Sequence, residues 1–272
     1  MLTSDVAPEM TEATRYAERL AGRIAASGSH LCVGLDPRPE RHDGEIGKVE
    51  GFLRRVVEET SSSAAAFKPN SAYFEAMGAE GMALLQRVIE TVPREIPVIF
   101  DGKRSDIGET QRRYAEAAFG VLGATAATLN PFMGYDSIEP FLEFPGRGVY
   151  LLALTSNPGS EEIEKLEAGG RGIYERVGEY AARAAREERA TDVGLVTGLT
   201  TLDDDLLERL PDVPLLVPGL GAQGGDLGLL EGGGRRAPIV VNVSRGVLYG
   251  EKPRSLRERA EAFAASISAA LD

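Results

Sequence analysis

Residues 100–110 read FDGKRSDIGET and place Asp101, Lys103 and Asp106 within one short stretch, with Arg104 among them. Two carboxylates around an ammonium make an electrostatic array. The acids keep the lysine charged, and a charged lysine can stabilise a developing negative charge and then deliver a proton to it. The run PVIF (97–100) leads into this stretch, so the charges stand where a buried strand ends. Asp101 and Lys103 are two apart, which on a strand points both to one side. Arg104 then faces the other way and reads as an outer ion-pair partner. Asp106 lies past the strand, at the start of a helical pattern, and suits an N-cap as well as catalysis.

The elements that must position these residues recur along the chain. Eight apolar, β-rich runs are spaced fairly evenly: 31–36, 65–70, 97–103, 124–130, 149–155, 192–198, 213–219 and 238–244. Most are apolar throughout rather than alternating, as in parallel strands covered on both faces. Between them lie helical patterns. Val49, Phe52, Leu53, Val56 and Val57 form one stripe. Tyr73, Met77, Leu84, Leu85, Val88 and Ile89 form another, weakened by Gly78 and Gly81. Ala-rich segments at 109–122, 172–189 and 253–271 continue the alternation, and the connections after strands six and seven are the poorest helices. This pattern predicts a (β/α)8 TIM barrel, although an open doubly wound sheet has the same alternation. No linker divides the chain, so residues 1–272 read as one domain, with a helix over about 9–26 packed across the barrel's bottom.

In a barrel, chemistry belongs at the C-terminal ends of the strands. Those ends carry Asp36, Lys68 and Asn70, Asp101 and Lys103, Asn130, Thr155 and Ser156, and Ser244 and Arg245. The glycine-rich stretch VPGLGAQGGD (217–226) follows strand seven, and NVSRG (242–246) includes the end of strand eight. Loops after strands seven and eight often hold phosphate in barrels. Glycines let backbone N–H groups approach an anion, and the fork of Arg245 can grip it.

Composition narrows the classes. With 30 basic and 42 acidic residues the net charge is −12, which argues against a nucleic-acid-tracking surface. No apolar run approaches a membrane span, and the first twenty residues do not read as a signal peptide. Cys32 is the only cysteine, which fits a cytoplasmic protein and reads as buried core. The two histidines, His30 and His42, sit in no motif, so neither a histidine triad nor a multi-histidine zinc site is expected, and no metal is assigned.

FKPNSAYFE (67–75), the DxKRxDIG core, TLNPFMGYDS (128–137), SNPG (156–159) and VPGLGAQGGD stand here in one order. With them the chain resembles the orotidine 5′-phosphate decarboxylase family, over essentially the whole barrel. The resemblance implies cofactor-free conversion of orotidine 5′-phosphate to UMP and CO2 in de novo pyrimidine biosynthesis, by a homodimer with shared active sites. It places Asp36 on the ribose and Lys68 between the ribose and Asp101. Asp101 and Lys103 face the pyrimidine carboxylate. By the same resemblance Asp106 and Thr110 would reach the partner's site, Ser156 would contact the base, and Gln223 and Arg245 would hold the phosphate. Asn70, Asn130, Pro218 and Gly224 complete the substrate-binding set.

The chain departs from the family in places. The family core more often reads DAKRGDI, so Gly102 and Ser105 stand in place of Ala and Gly, and VTGLTTLDD after strand six is less regular than expected. Two rivals remain. Related barrels that act on sugar phosphates stabilise an enediolate with Mg²⁺, helped by an acid on strand two, where this chain has Lys68. A non-catalytic phosphonucleotide-binding barrel would not need Asp101, Lys103 and Asp106 together. DDD at 203–205 reads as a solvated helix start.

Overall fold

Residues 14–198, 207–219, 234–250 and 254–271 are described by the structure, a computed structural model. In chain order the elements are α1 (Tyr16–Ser27), β1 (Leu31–Gly34), α2 (Ile46–Thr60), β2 (Ala66–Lys68), α3 (Ser71–Glu75), α4 (Gly78–Ile89), β3 (Ile99–Arg104) and α5 (Gly108–Ala115). There follow β4 (Ala126–Leu129), α6 (Tyr135–Ile138), β5 (Gly148–Leu154), α7 (Ser160–Ile163), α8 (Ile173–Arg186), β6 (Asp192–Thr197), β7 (Leu215–Pro218), β8 (Ile239–Val243), α9 (Arg245–Tyr249) and α10 (Leu256–Leu271). All eight expected strands are present, each within about three residues of its sequence-read bounds.

The strands pair in parallel in the order β2-β1-β8-β7-β6-β5-β4-β3. Two bridges, Phe67 with Val98 and Asn70 with Asp101, join β2 to β3 and close the ring. The second is made by the Asp101 N–H donating to the Pro69 carbonyl at 3.0 Å. This closure separates the barrel from the open sheet, which the alternation alone did not.

Burial falls into two layers. Val33, Phe67, Phe100, Leu129, Leu151 and Val241 point outward and meet the helices. Cys32, Ala66, Ile99, Ala126, Tyr150, Val196, Leu216 and Val240 fill the interior with Tyr16 and Leu20 of α1. Tyr16 and Leu20 are four apart, on one helix face. The Tyr16 and Tyr150 hydroxyls lie 3.1 Å apart, and the Ala17 N–H donates to Asp192 at the start of β6, at 2.9 Å. α1 therefore plugs the N-terminal mouth; of the helix expected over about 9–26, positions 9–13 lie outside the described residues. Gly148 is required there, because a Cβ at that position would stand 2.4 Å from the Tyr16 ring.

Two helices differ from expectation. The stripe from Tyr73 to Ile89 is not one helix: it breaks at Met77–Gly78, where Gly78 has φ 68, and Tyr73 is exposed. The segment after β3 is α-helical only to Ala115 and then widens into a π-helical turn, Glu116–Val121.

Candidate active site

Asp101 is the centre of the cluster. It lies on β3 with 7% of its surface exposed, and its two oxygens serve two ammonium groups. Lys68 Nζ, from the end of β2, is 2.5 Å from Oδ2, and Lys103 Nζ is 2.5 Å from Oδ1. Lys68 is buried, while the Lys103 side chain is 46% exposed and reaches into the barrel mouth. Burial alone would raise the Asp101 carboxyl; the ammonium groups of Lys68 and Lys103 outweigh it and hold the acid well below the usual carboxylate range. Burial alone would likewise lower Lys68, and the carboxylates of Asp101 and Asp36 reverse this and hold it above the ordinary lysine value. Asp101 and Lys68 thus stay ionised across the physiological range, and the order Lys68, Asp101, Lys103 alternates base, acid, base.

Asp101 and Lys103 meet, though not through simple strand alternation. In the β3–β4 ladder Phe100 pairs with Ala127 and Arg104 with Leu129. Four steps of β3 therefore span two of β4, which is a bulge. Within it Lys103 adopts the left-handed backbone, φ 46, where a residue with a Cβ is strained. The bulge turns the ammonium back over its own carboxylate. Arg104 faces outward as expected: it pairs with Glu75 and lies over the Phe100 and Tyr114 rings.

Thr128 of β4 was missed by the reading of the sequence. Its buried hydroxyl accepts from the Lys103 N–H at 3.0 Å and donates to Asp101 Oδ1 at 2.9 Å. Strand alternation with Ala126 could have found it, since both side chains point into the barrel.

The other expected residues fall around the same mouth. Asp36 follows β1 and accepts from the Asn70 N–H at 3.3 Å. Asn70 Oδ1 caps α3 through the Ala72 N–H at 3.1 Å, and Asn130 Oδ1 does the same for Phe132 after β4. Ser156 is half-buried after β5, Pro218 ends β7, and Arg245 is exposed at the start of α9. Beside Arg245, the Ser244 hydroxyl and Asn242 Oδ1 are buried with no hydrogen-bond partner among the described residues. Gln223 and Gly224, like DDD at 203–205, lie outside the described residues.

Asp106 does not join the array within one chain. It makes no ion pair among the described residues, and it accepts only from the Ile107 N–H, at 2.8 Å. The N-cap of α5 is Ile107, so the cap reading of Asp106 is displaced by one residue. Thr110 is exposed on α5. Ile107, Phe132 and Met133 are also exposed. Cys32 is core as expected, and burial pushes its thiol up to about 12. The histidines lie elsewhere: His30 Nδ1 meets the Ile239 carbonyl at 2.8 Å, and the His42 ring packs on Phe52.

This arrangement has counterparts. Residues 29–260 match the model of the Orotidine 5′-phosphate decarboxylase / HUMPS family. The orotidine 5′-phosphate decarboxylase of Thermomicrobium roseum is 42% identical over 263 residues, spanning 92% of this chain and 92% of that relative. That of Herpetosiphon aurantiacus is 38% identical over 257 residues, spanning 92% and 95%. The solved structure of Leishmania donovani OMP decarboxylase superimposes with a TM-score of 0.83 at 38% identity, covering 95% of this chain and 99% of that one. With a matching barrel and homology along nearly its whole length, the chain belongs to the orotidine 5′-phosphate decarboxylase / HUMPS family.

Proposed function

We propose that the chain decarboxylates orotidine 5′-phosphate to UMP, with Lys103 as the proton donor. The observation that carries this is a half-exposed ammonium fixed 2.5 Å from a buried carboxylate at the barrel's C-terminal mouth. The C6–carboxylate bond breaks, CO2 leaves, and the electron pair stays on C6 in an orbital in the ring plane. That orbital does not conjugate with the ring π system. Lys103 stabilises the charge as an ammonium and passes a proton to C6; the neutral amine then regains a proton from solvent. Asp101 holds the Lys103 ammonium in place, and Lys68 keeps Asp101 ionised in a buried place.

Magnitude sets a limit on Lys103. One charge at ~4 Å contributes about 4 kcal/mol at an effective dielectric of ~20, whereas enzymes lower barriers by up to ~23 kcal/mol. The rest comes from preorganised groups and from binding the non-reacting phosphate and ribose. We assign the ribose to Asp36 and the base to Ser156. Arg245 takes the phosphate, with Gln223, Gly224 and Pro218, and Asn70 and Asn130 border the substrate. The sugar-phosphate alternative is disfavoured by Lys68, since both Asp101 oxygens already face ammonium groups and a divalent cation would have to displace one.

The array has two ammonium groups and one carboxylate per chain, and Asp106 stands apart from it. We therefore propose a homodimer in which Asp106 and Thr110 of a second copy complete each site. Exposed Ile107, next to Asp106 in the chain, and exposed Phe132 and Met133 after β4 supply apolar surface for that contact. The chain is read as one domain and placed in the cytoplasm, in keeping with a single buried cysteine; no helix among the described residues is long and apolar enough to cross a membrane.

The test mixes Lys103→Ala with Asp106→Ala protein after subunit exchange and follows orotidylate absorbance. Each parent is expected to be nearly inactive. The mixture should regain about a quarter of wild-type turnover, because half the dimers are mixed and each carries one intact site. Active wild type with no recovery in the exchanged mixture removes the shared site. Wild type that leaves orotidylate unchanged removes the decarboxylase reading itself.

A further inference from the structure

We propose that Thr128 is a positioning residue for the reaction, closing a hydrogen-bonded ring that aims Lys103. The proposal rests on the decarboxylase reading above and adds a residue to its machinery. The bulge in β3 takes the Lys103 N–H out of the regular ladder, and an amide even partly shielded from water needs another partner. Thr128 Oγ1 accepts that N–H at 3.0 Å, and its own proton goes to Asp101 Oδ1 at 2.9 Å. The same Oδ1 receives Lys103 Nζ at 2.5 Å. The ring therefore runs from the Lys103 backbone through Thr128 to Asp101 and returns through the Lys103 side chain.

Chemistry dictates a hydroxyl at this place. The Lys103 N–H can only donate and the Asp101 carboxylate can only accept, so the linking atom must do both. Thr128 is 1% exposed, which keeps water from substituting. Without the link, the left-handed backbone at Lys103 (φ 46) loses its N–H bond to β4, and the carboxylate is left to its two ammonium partners. Thr125, at the foot of the same strand, is a built-in comparison. Its hydroxyl accepts from the Val98 N–H at 2.8 Å and donates to the Val98 carbonyl at 3.0 Å, at the opposite end of β4 from the Asp101 array. One threonine stitches β3 to β4 for stability, and the other does so at the reacting lysine.

The experiment compares Thr128→Val, Thr128→Ser and Thr125→Val by steady-state kinetics on orotidine 5′-phosphate and by amide hydrogen exchange. Thr128→Val should lower kcat about 10- to 100-fold with KM changed less than about threefold, as expected when a hydrogen bond to a charged group near the transition state is lost. Thr128→Ser should return kcat to within about threefold, because the hydroxyl alone is required. Thr125→Val should leave kcat unchanged and lower only the melting temperature. The Lys103 amide should lose its exchange protection in Thr128→Val and keep it in Thr128→Ser, a readout that needs no turnover. Wild-type kcat in Thr128→Val, or equal losses in the Ser and Val variants, overturns the proposal. If Thr128→Val does not fold, Thr128→Ala takes its place, and equal kcat in the Ala and Ser variants is the overturning result. An inactive wild type with a Thr128-dependent Lys103 amide would sink the decarboxylase reading and leave the ring intact.

Discussion

Replacing Asp101 by Asn probes the array most directly, because this one carboxylate compensates two ammonium groups. Lys68 Nζ and Lys103 Nζ each stand 2.5 Å from one of its oxygens. At a charge separation of ~3 Å and an effective dielectric of ~20, each attraction is worth about 5–6 kcal/mol before desolvation. Lys103 is half-exposed, so solvent screens much of its share and it can turn to water when the carboxylate is lost. Lys68 cannot, being buried against the strand ends. Asp36 still favours its charge, so the loss falls short of the gross figure. Breaking a buried pair by removing one partner costs about 3–5 kcal/mol, and Asp101→Asn should lie in that range. With an m-value of ~2–3 kcal/mol/M, the urea midpoint should fall by about 1–2.5 M. Turnover should fall by about 100- to 1000-fold, since Lys103 loses the group that fixes its position. The decisive comparison is Lys68→Met/Asp101→Asn. Removing both buried charges should recover at least ~2 kcal/mol of the stability lost in Asp101→Asn. Urea unfolding by circular dichroism, beside the orotidylate absorbance assay, reads both quantities. If Asp101→Asn unfolds within ~0.5 kcal/mol of wild type, or the double variant is no more stable than Asp101→Asn, the buried-charge reasoning is wrong.

Two further outcomes follow from the same geometry. The Asp101 carboxyl is depressed in the folded protein, so the unfolded chain takes up its proton first. Its stabilisation is complete above about pH 5 and drains as pH falls toward the folded value. Lys68 is raised, so its contribution is complete below about pH 9 and is lost as pH climbs through the folded value. Urea midpoints across pH should therefore show a plateau whose acid limb is shallower in Asp101→Asn; identical acid limbs would contradict the assignment. Gly102→Ala restores the residue more common in the family, yet its Cβ would stand 2.5 Å from Phe100 Cε1 and 2.9 Å from Cζ. The Phe100 ring is buried, with Arg104 across its face, so a cost of about 1–2 kcal/mol and a melting temperature lower by about 3–6 °C are expected. A thermal scan in which Gly102→Ala matches or exceeds wild type would show that the ring moves freely.

Much of this was legible in local sequence because periodicity is a local property. Eight apolar runs separated by helical stripes specify parallel strands under helices, and the interior and exterior sets follow from a two-residue alternation. Polar residues at the C-terminal ends of six of the eight runs lie around one mouth of the barrel, and the outward turn of Arg104 was predictable from its position alone. The break at Met77–Gly78 was less so, since an apolar stripe runs across it and only the glycine signals the change of direction.

Tertiary structure decided the rest. Lys68 and Asp101 are 33 residues apart and meet only because β2 and β3 close the ring. The bulge that folds Lys103 over Asp101 depends on the register of β3 against β4, to which side-chain alternation is blind. Thr128 acquires its place from that register, because a hydroxyl becomes a link only when a displaced N–H and a carboxylate flank it. Asp106 is placed outside the array by the turn into α5, although the sequence set it three residues from Lys103. Sequence thus supplied the charged groups and the strands that carry them, whereas hydrogen-bond closure between strands chose which groups touch.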